Sequence, residues 1–399
     1  MNKAVMYGGG NIGRGFIGAL LSRSGYRVTF VDVAEPVVNA LQKDGRYPVR
    51  YVSSEGYEDV WIENVTAVNG NDTEATASAI AECDVMATAV GARILKFIVP
   101  NIIAGIRKRW AAGGKPLNII ICENLNDANK VLEGMLKDQL TGEEQKKFDE
   151  TVGLVEASIG RMVPVQTAEM QDGEPLRVCV ERYGYLPTDK AAFRGEMPKI
   201  DNMVPFAPFD FYIKRKLFLH NMGHATCAYL GGLYGYTYIW EAIGDPYIRL
   251  LVQNAMEASA LALSKKYAQP PEMLFAHIND LLARFGNAAL GDTCDRVGRD
   301  VPRKLAPDDR LIGAWRLCEE MKISPVFLAA GIAGGVHRYL AEEGREQSVP
   351  QAEKALRELS GIHSDTVIRC YEALCAHAPL SDIFSALERE RRTESGSIV

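Results

Sequence analysis

The spacing of apolar residues changes part-way along the chain, and the change predicts two regions of different construction. Up to about residue 125, short apolar runs typical of β-strands alternate with stretches of helical periodicity. The strand candidates are residues 4–7, 28–31, 85–90 and 117–121. Alternating strands and helices predict a parallel, doubly wound sheet. Two later β-like runs, residues 153–157 and 176–180, are expected to extend this sheet.

After about residue 200 the apolar positions follow a helical period. Asp245 and Pro246 are typical of a helix start, with a capping residue followed by proline at the first helical position. Apolar and small residues then recur at helical spacing, namely Ile248, Leu251, Val252, Ala255, Ser259 and Ala262. The sequence therefore predicts an α/β protein, with a doubly wound sheet and extra strands over residues 1–200 and a mainly α-helical domain over residues 201–399.

Length and composition agree with two soluble globular domains. A chain of 399 residues is too long for one ordinary hydrophobic core. The contents of 47% hydrophobic and 24% charged residues are those of a globular protein. The net charge of -6 provides no basic surface for nucleic acid or for an anionic membrane, so neither is expected as a partner.

Other features predict a cytoplasmic protein. Residues 225–240 carry no charge, but the run is short and is interrupted by glycines, so it predicts a buried helix and turn rather than a membrane span. The apolar run before the first glycines is shorter than a secretory signal. The eight cysteines are mostly scattered and lack the spacing of a zinc site, which suits a reducing compartment.

The first chemical signal is a glycine motif between the first two predicted strands. Gly8, Gly10 and Gly13 form a G-x-G-x-x-G pattern that follows a strand and opens a helix, and the next strand ends at Asp32. In a Rossmann-type domain these glycines allow a tight turn, close approach of a pyrophosphate, and helix packing. A carboxylate at Asp32 would bind the adenosine ribose and repel a 2′-phosphate, which favours NAD(H) over NADP(H). A glycine turn with a purely structural role is the alternative.

Two further loops are predicted at the same edge of the sheet, because ligands in open α/β sheets bind beyond the carboxyl ends of the strands. One loop is residues 89–91, and the other is Cys122, Glu123 and Asn124. The predicted cofactor contacts are Gly8, Gly10, Asn11, Ile12, Gly13, Asp32, Ala89, Val90 and Gly91.

The strongest catalytic candidates lie in residues 214–225. On a regular α-helix that starts at Lys216, His220 lies at about 40°, His224 at about 80° and Asn221 at about 140°. A base, an amide donor and an imidazole on one face suit hydride transfer, in which a base removes the hydroxyl proton and an amide stabilises the alkoxide. Periodicity alone does not choose between the two histidines. A solvated basic face over residues 214–216 is the alternative for Lys216.

An ammonium group cannot act as a base, so this chemistry requires a lysine with a lowered pKa. Burial and the adjacent cations Lys214 and Arg215 are expected to lower the pKa of Lys216.

Lys216, Asn221 and His224 form a K-x4-N-x2-H pattern that resembles the polyol-specific long-chain dehydrogenase/reductase family. Further segments resemble that family in the same order, from near the N-terminus to about residue 390. They are residues 10–18, 88–91, 122–124, 215–218, 295–299 and 303–305.

The resemblance implies a role for each matched residue. Lys216 would be the general base, Asn124 and Asn221 the pair that stabilises the oxyanion, and His224 the group that orients the hydroxyl, with NAD as cofactor and no metal. The implied reaction interconverts D-mannitol 1-phosphate and D-fructose 6-phosphate. The alternatives are an unphosphorylated polyol or a hexuronate as substrate, or an NAD-sensing regulatory module, which would have no need for a base.

One position departs from the family pattern. Members commonly carry aspartate before an arginine in a V-D-R-I-x-P stretch, whereas this chain has Gly160 before Arg161. The departure leaves the substrate open between the alternatives above.

A basic cluster downstream is the candidate phosphate site. Within fifteen residues it contains Arg296, Arg299, Arg303, Lys304 and Arg310, and arginine forks suit phosphate oxygens. The first four are the predicted substrate ligands. Aspartates are interleaved with these residues, so a salt-bridged surface is the alternative. A small sugar phosphate or polyol is the expected partner, and the expected assembly is a monomer or a weak homo-oligomer.

Overall fold

The computed structural model describes residues 1–125 and 127–394. The chain divides into two compact units, of which the first is Met1–Asp210 and the second begins at Phe211.

The strands lie in the first unit. They are β1 (Lys3–Tyr7), β2 (Arg27–Asp32), β3 (Tyr47–Ser53), β4 (Gly56–Ile62), β5 (Val65–Asn69), β6 (Val85–Thr88), β7 (Leu117–Ile121), β8 (Val152–Glu156), β9 (Val178–Val180), β10 (Leu186–Asp189) and β11 (Met203–Phe206). Six of them form a sheet in the order β5-β2-β1-β6-β7-β8, and every neighbouring pair is parallel. This is the strand order of a Rossmann-type doubly wound domain, which confirms the predicted fold class.

Helices cover both faces of this sheet. They are α1 (Ala19–Arg23), α2 (Glu35–Asp44), α3 (Thr73–Glu82), α4 (Leu95–Ala111), α5 (Ala128–Lys137), α6 (Gly142–Thr151) and α7 (Ala168–Gln171), with a π-helical segment, Gly13–Gly18, leading into α1 and a 3₁₀ turn, Lys190–Ala192. Successive side chains of β1 enter opposite hydrophobic clusters, Ala4 and Met6 on one face and Val5 and Tyr7 on the other. Burial on both faces explains why the strands are continuously apolar.

The two late β-like runs have different outcomes. β8 pairs with β7 and extends the parallel sheet as predicted. The prediction for the second run is wrong, because β9 pairs with β3 in a separate three-stranded sheet of order β4-β3-β9. Val178 and Val180 of β9 lie so close to Gly15 that a Cβ there would come within 2.7 and 2.9 Å of their side chains. Packing against the glycine-rich segment therefore places β9 outside the main sheet.

The second unit is mainly helical, as predicted. Its helices are α8 (Asp210–Arg215), α9 (Met222–Leu233), α10 (Ile239–Gly244), α11 (Pro246–Tyr267), α12 (Pro271–Phe285), α13 (Cys294–Gly298), α14 (Val301–Lys304), α15 (Ile312–Glu320), α16 (Leu328–Glu342), α17 (Val349–Ser360), α18 (Asp365–Cys375) and α19 (Leu380–Glu394), with a 3₁₀ turn, Ala288–Leu290. Asp245 caps α11 through Oδ1, which accepts hydrogen bonds from the backbone N–H groups of Tyr247 at 2.8 Å and Ile248 at 3.0 Å. Within the described ranges, no helix combines the length and apolar character needed to cross a bilayer.

Helix α9 packs against α10, α11, α13 and α16. Two glycines permit the closest approaches. A Cβ at Gly223 would lie 2.6 Å from Sδ of Met256 in α11, and a Cβ at Gly331 of α16 would lie 2.3 Å from Oγ1 of Thr226. Gly223 therefore serves helix packing, and α9 is held firmly in place.

Candidate active site

The glycine loop has the backbone geometry that a dinucleotide site requires. Gly8 has φ +103°, and a Cβ there would come within 2.4 Å of the carbonyl oxygen of Ala89. A Cβ at Gly13 would come within 1.9 Å of the carbonyl oxygen of Gly8. At Gly10, by contrast, a Cβ would meet no described atom within 4 Å. Gly8 and Gly13 are thus required by the turn itself, while Gly10 leaves open space in which a pyrophosphate could approach the backbone.

Asp32 ends β2 beside this loop. Its Oδ2 accepts a hydrogen bond from the N–H of Gly9 at 2.6 Å, and its Oδ1 accepts one from the N–H of Ala34 at 2.9 Å. These contacts fix the carboxylate while each oxygen keeps further acceptor capacity. This geometry suits a carboxylate that accepts hydrogen bonds from the hydroxyl groups of a ribose.

We expect Asp32→Ala to weaken NADH binding by about 10- to 100-fold, since a hydrogen bond to a charged group contributes about 1.5–3 kcal/mol. NADPH binding should change less, because the variant also loses the repulsion of a 2′-phosphate. Fluorescence titration with both dinucleotides measures the two dissociation constants. Asp44→Ala, at the exposed end of α2, is the control. A wild-type protein that prefers NADPH would contradict the interpretation of Asp32.

The loop after β6 is held by a residue whose role the sequence did not reveal. Glu123 is buried, and its carboxylate accepts hydrogen bonds from the N–H of Val90 at 3.0 Å and of Gly91 at 2.7 Å. The signal available in the sequence was an acidic residue directly after a buried strand. Glu123 therefore joins the loops that follow β6 and β7. The neighbouring Asn124 is exposed, and its side-chain amide makes no hydrogen bond to another described residue.

Gly160, the departure from the family pattern, packs against an aromatic ring. A Cβ at this position would come within 3.0 Å of Cε1 of Tyr183. The next residue, Arg161, donates from Nη1 to the carbonyl oxygen of Gly15 at 2.8 Å and stacks over Phe16 at 4.5 Å from the ring centroid. The segment around Gly160 and Arg161 therefore packs against the π-helical segment Gly13–Gly18. The ring of Tyr183 lies close to the position that a Cβ at residue 160 would occupy.

In the second unit, the predicted catalytic segment is not a regular α-helix. Lys216–Asn221 is π-helical and joins α8 to α9, and the N–H of Met222 donates to the carbonyl of Leu217, five residues earlier. Hydrogen bonds between residues five apart define a π-helix, in which one turn contains more residues than a turn of α-helix. Lys216 and Asn221 therefore lie closer in direction than the angle of about 140° expected for an α-helix.

Lys216 has the electrostatic character of a base. Burial, and after it the charge of Arg310, lowers its pKa to about 8. The Lys216 ammonium forms no ion pair or hydrogen bond with any other residue in the described ranges. Burial lowers the pKa as expected, but the prediction that Lys214 and Arg215 also lower it is wrong. Arg215 stacks on Tyr212 at 4.4 Å and Lys214 lies over Phe218 at 5.2 Å, whereas the effective charge comes from Arg310.

The structure distinguishes the two histidines. The ring of His224 stacks on Phe285 with centroids 4.9 Å apart, and its Nε2 lies 3.7 Å from Oδ2 of Asp292. Burial lowers the pKa of His224 to about 4 although Asp292 opposes this, so the imidazole is neutral at pH 7 and its contact with Asp292 is not an ion pair. His220 is more deeply buried, and burial lowers its pKa well below the usual value. His224 is thus the partly exposed, neutral imidazole.

His224 and Cys227 lie three residues apart, a spacing that is compatible with two metal ligands, but their surroundings do not complete a metal site. The Sγ of Cys227 is directed to the carbonyl oxygen of Ile239 at 3.8 Å. Across residues 1–125 and 127–394, no group of three His, Cys, Asp or Glu side chains is arranged to hold a metal ion.

The predicted phosphate ligands divide into two pairs. Arg299 and Arg303 are 69% and 54% exposed and form ion pairs with Asp295 and Asp300, as a salt-bridged surface would. Arg296 instead pairs with Asp292, the carboxylate beside His224.

Lys304 is buried and donates to the carbonyl oxygen of Arg299. Burial, followed by the charge of Arg310, lowers its pKa to about 8. Asp292 and Arg310 are the two charged groups beside the candidate catalytic residues that sequence reasoning did not assign, because their closeness depends on how separate helices pack.

Comparison with known proteins shows similarity in both units. The family model of the mannitol dehydrogenase Rossmann domain matches residues 2–202, and that of the mannitol dehydrogenase C-terminal domain matches residues 209–388. The chain is 36% identical over 389 residues to mannitol-1-phosphate 5-dehydrogenase of Bacillus pumilus (strain SAFR-032), covering 97% of this chain and 99% of that relative.

Solved structures share the fold at lower identity. A substrate-free D-sorbitol dehydrogenase is 17% identical with a TM-score of 0.73, covering 98% of this chain and 92% of that one. The Pseudomonas fluorescens mannitol 2-dehydrogenase, solved as a ternary complex with NAD and D-mannitol, is 15% identical with a TM-score of 0.71, covering 97% of this chain and 94% of that one.

Proposed function

Because the chain belongs to the mannitol dehydrogenase family, whose members are oxidoreductases acting on CH–OH groups, we propose that it interconverts D-mannitol 1-phosphate and D-fructose 6-phosphate with NAD as cofactor. The observation that carries this proposal is Lys216, a partly buried lysine with a pKa lowered to about 8, on the same π-helical segment as Asn221 and influenced by the same Arg310 as the neutral His224.

The first unit contains the residues that would hold the cofactor. Gly10 leaves room for a pyrophosphate, Asp32 offers its carboxylate to the ribose, and Glu123 fixes the loop of Val90 and Gly91. When bound, the nicotinamide would supply the acceptor of the hydride from the carbinol carbon in oxidation and the hydride donor in reduction.

The remaining chemistry belongs to the side chains. In the oxidation direction, the neutral amine of Lys216 accepts the hydroxyl proton, and in reduction the ammonium returns that proton to the carbonyl oxygen. Asn221 and Asn124 donate amide hydrogens to the oxygen as negative charge develops on it. His224, neutral and held by stacking on Phe285, orients the reacting hydroxyl.

The substrate phosphate requires positive charge near these groups. Of the four predicted ligands, Arg296 and Lys304 act electrostatically on His224, whereas Arg299 and Arg303 are exposed and form ion pairs with aspartates. Any anionic ketose could use the same charges, so a direct comparison of substrates is needed.

NADH oxidation against fructose 6-phosphate, fructose, fructuronate and tagaturonate tests the proposed function. We expect the highest kcat/KM with fructose 6-phosphate. A preference for unphosphorylated fructose would contradict the proposal that the substrate carries a phosphate. A preference for either hexuronate would show that the substrate is a hexuronate and not a sugar phosphate. Absence of turnover with all four ketoses, while NADH still binds, would favour the NAD-sensing alternative.

The lowered pKa of Lys216 predicts opposite pH profiles for the two directions. Oxidation requires the neutral amine, so kcat/KM should rise as the pH increases through about 8 and then level off. Reduction requires the ammonium, so kcat/KM should fall over the same range. Initial rates from pH 6 to 10 in both directions measure the profiles, and the same pH dependence in both directions would contradict the role of Lys216.

A further inference from the structure

Arg310, which is not among the four predicted phosphate ligands, has hydrogen-bonding capacity that the protein does not use. Its side chain is 13% exposed, and its Nε donates to Oδ1 of Asp309 at 2.7 Å. Nη1 and Nη2 make no hydrogen bond with any residue in the described ranges. One edge of the guanidinium is therefore fixed, and the terminal nitrogens are available to a ligand.

This guanidinium acts directly on the candidate catalytic residues. After burial, the charge of Arg310 is the next cause of the lowered pKa of Lys216. The same charge also lowers the pKa values of His224 and Lys304. Lys304 is itself buried, and the charge of Arg310 lowers the pKa of both Lys304 and Lys216, so Arg310 has two other cations within electrostatic range. Such a group of like charges favours the binding of an anion.

The nearby carboxylates are all engaged in ion pairs, and one of them, Asp309, pairs with Arg310 itself. Asp300 forms an ion pair with Arg303, and Asp309 lies 3.9 Å from that same arginine in addition to accepting from Arg310. Asp292, beside His224, pairs with Arg296. These acids therefore leave the positive charge of Lys216, Lys304 and Arg310 only partly compensated.

We propose that Arg310 binds the phosphate group of the substrate through Nη1 and Nη2 and so selects phosphorylated over unphosphorylated ketoses. The inference rests on the proposed function, because it names the group that recognises the phosphate of that substrate. A guanidinium fork matches two phosphate oxygens, and Lys304 contributes a second positive charge beside it.

Burial distinguishes Arg310 from the other arginines of the segment. Arg299 and Arg303 are more than half exposed, where water and salt weaken a charge–charge contact. Arg310 is largely shielded, so a contact with phosphate at this position is stronger. Its fixed Nε edge also reduces the conformational freedom lost on binding.

The test compares Arg310→Gln with wild type in the reduction of fructose 6-phosphate and fructose by NADH. We expect the ratio of the two kcat/KM values to fall by about 10- to 100-fold, the loss for a charge-assisted bidentate contact. Inorganic phosphate, added as a competitive inhibitor of fructose 6-phosphate reduction, should bind the variant at least about tenfold more weakly. Arg249→Gln, which removes an exposed arginine of α11, is the matched control and should leave both measurements unchanged.

Each outcome decides the proposal. An equal loss with both ketoses would mean that Arg310 acts only through Lys216, and an unchanged ratio would mean that it does not contact the phosphate; either result overturns the inference. If Arg310→Gln fails to fold, Arg310→Lys decides in its place, because it keeps the charge but loses the fork, so a retained ratio overturns the proposal. Wild type that prefers fructose would instead show that the proposed function itself is wrong.

Discussion

Replacing Lys216 with alanine is expected to lower kcat by about 10²- to 10⁴-fold while the dissociation constant of NADH stays nearly unchanged. The side chain carries the proton of the reacting hydroxyl in the proposed mechanism, and it lies in the second unit, whereas the glycine loop and Asp32 belong to the first. Loss of the base should therefore affect the chemical step and not dinucleotide affinity. Steady-state rates in both directions, together with fluorescence titration of NADH, measure the two effects separately.

Lys214→Ala is the matched control for this experiment. Lys214 is only two residues away and carries the same charge, but its ammonium lies over the ring of Phe218. We expect this variant to keep most of the wild-type rate. Added small primary amines should restore part of the activity of Lys216→Ala, because they can supply the missing base. If Lys216→Ala keeps more than about a tenth of the wild-type rate, Lys216 is not the base.

Alanine at Asn221 or at Asn124 is expected to reduce kcat by about 10²-fold in each case, the usual loss for one oxyanion donor. Neither side-chain amide makes a hydrogen bond to another residue within the ranges that the structure describes, so each is available to a substrate. Because the negative charge on the oxygen develops in the transition state, kcat should fall more than substrate affinity. Single-turnover rates with NADH and ketose isolate this step from product release.

Two exposed asparagines serve as controls, Asn71 in the first unit and Asn279 in the second. Their alanine variants should turn over at wild-type rates. Unchanged turnover in both Asn124→Ala and Asn221→Ala would remove the oxyanion assignment. A loss of turnover in Asn221→Ala alone would show that Asn124 does not stabilise the oxyanion.

The parts of the fold that the sequence predicted depend on short-range patterns. The strand before Gly8, the helix after Gly13 and the strand ending at Asp32 all lie within the first 32 residues, and their order alone indicates a Rossmann-type domain. The cap of α11 at Asp245 is equally local. In contrast, β9 joins β3 from more than 120 residues away, and no local pattern distinguishes that pairing from an extension of the main sheet.

The candidate site follows the same division. A motif identified Lys216, Asn221 and His224 because their spacing is itself the signal. Arg310 and Asp292 affect Lys216 and His224 only because separate parts of the second unit pack together, so their charges were not foreseen. Glu123 was visible as part of a triplet, but its hydrogen bonds to Val90 and Gly91 depend on the adjacency of β6 and β7 in the sheet.

The π-helical segment also determines how tolerant the helix with the candidate catalytic residues is of changes in length. Close contacts of Gly223 with Met256 and of Thr226 with Gly331 keep α9 in one rotational setting. Each residue of an α-helix corresponds to a rotation of about 100°, and the wide turn takes up one residue more than an α-helical turn does. Deleting one residue from 217–220 would therefore let the turn close into ordinary α-helix while Lys216 keeps nearly the same direction relative to α9. An inserted residue has no second wide turn to take it up, so it would rotate α8 and Lys216 and turn the amine away from the imidazole of His224.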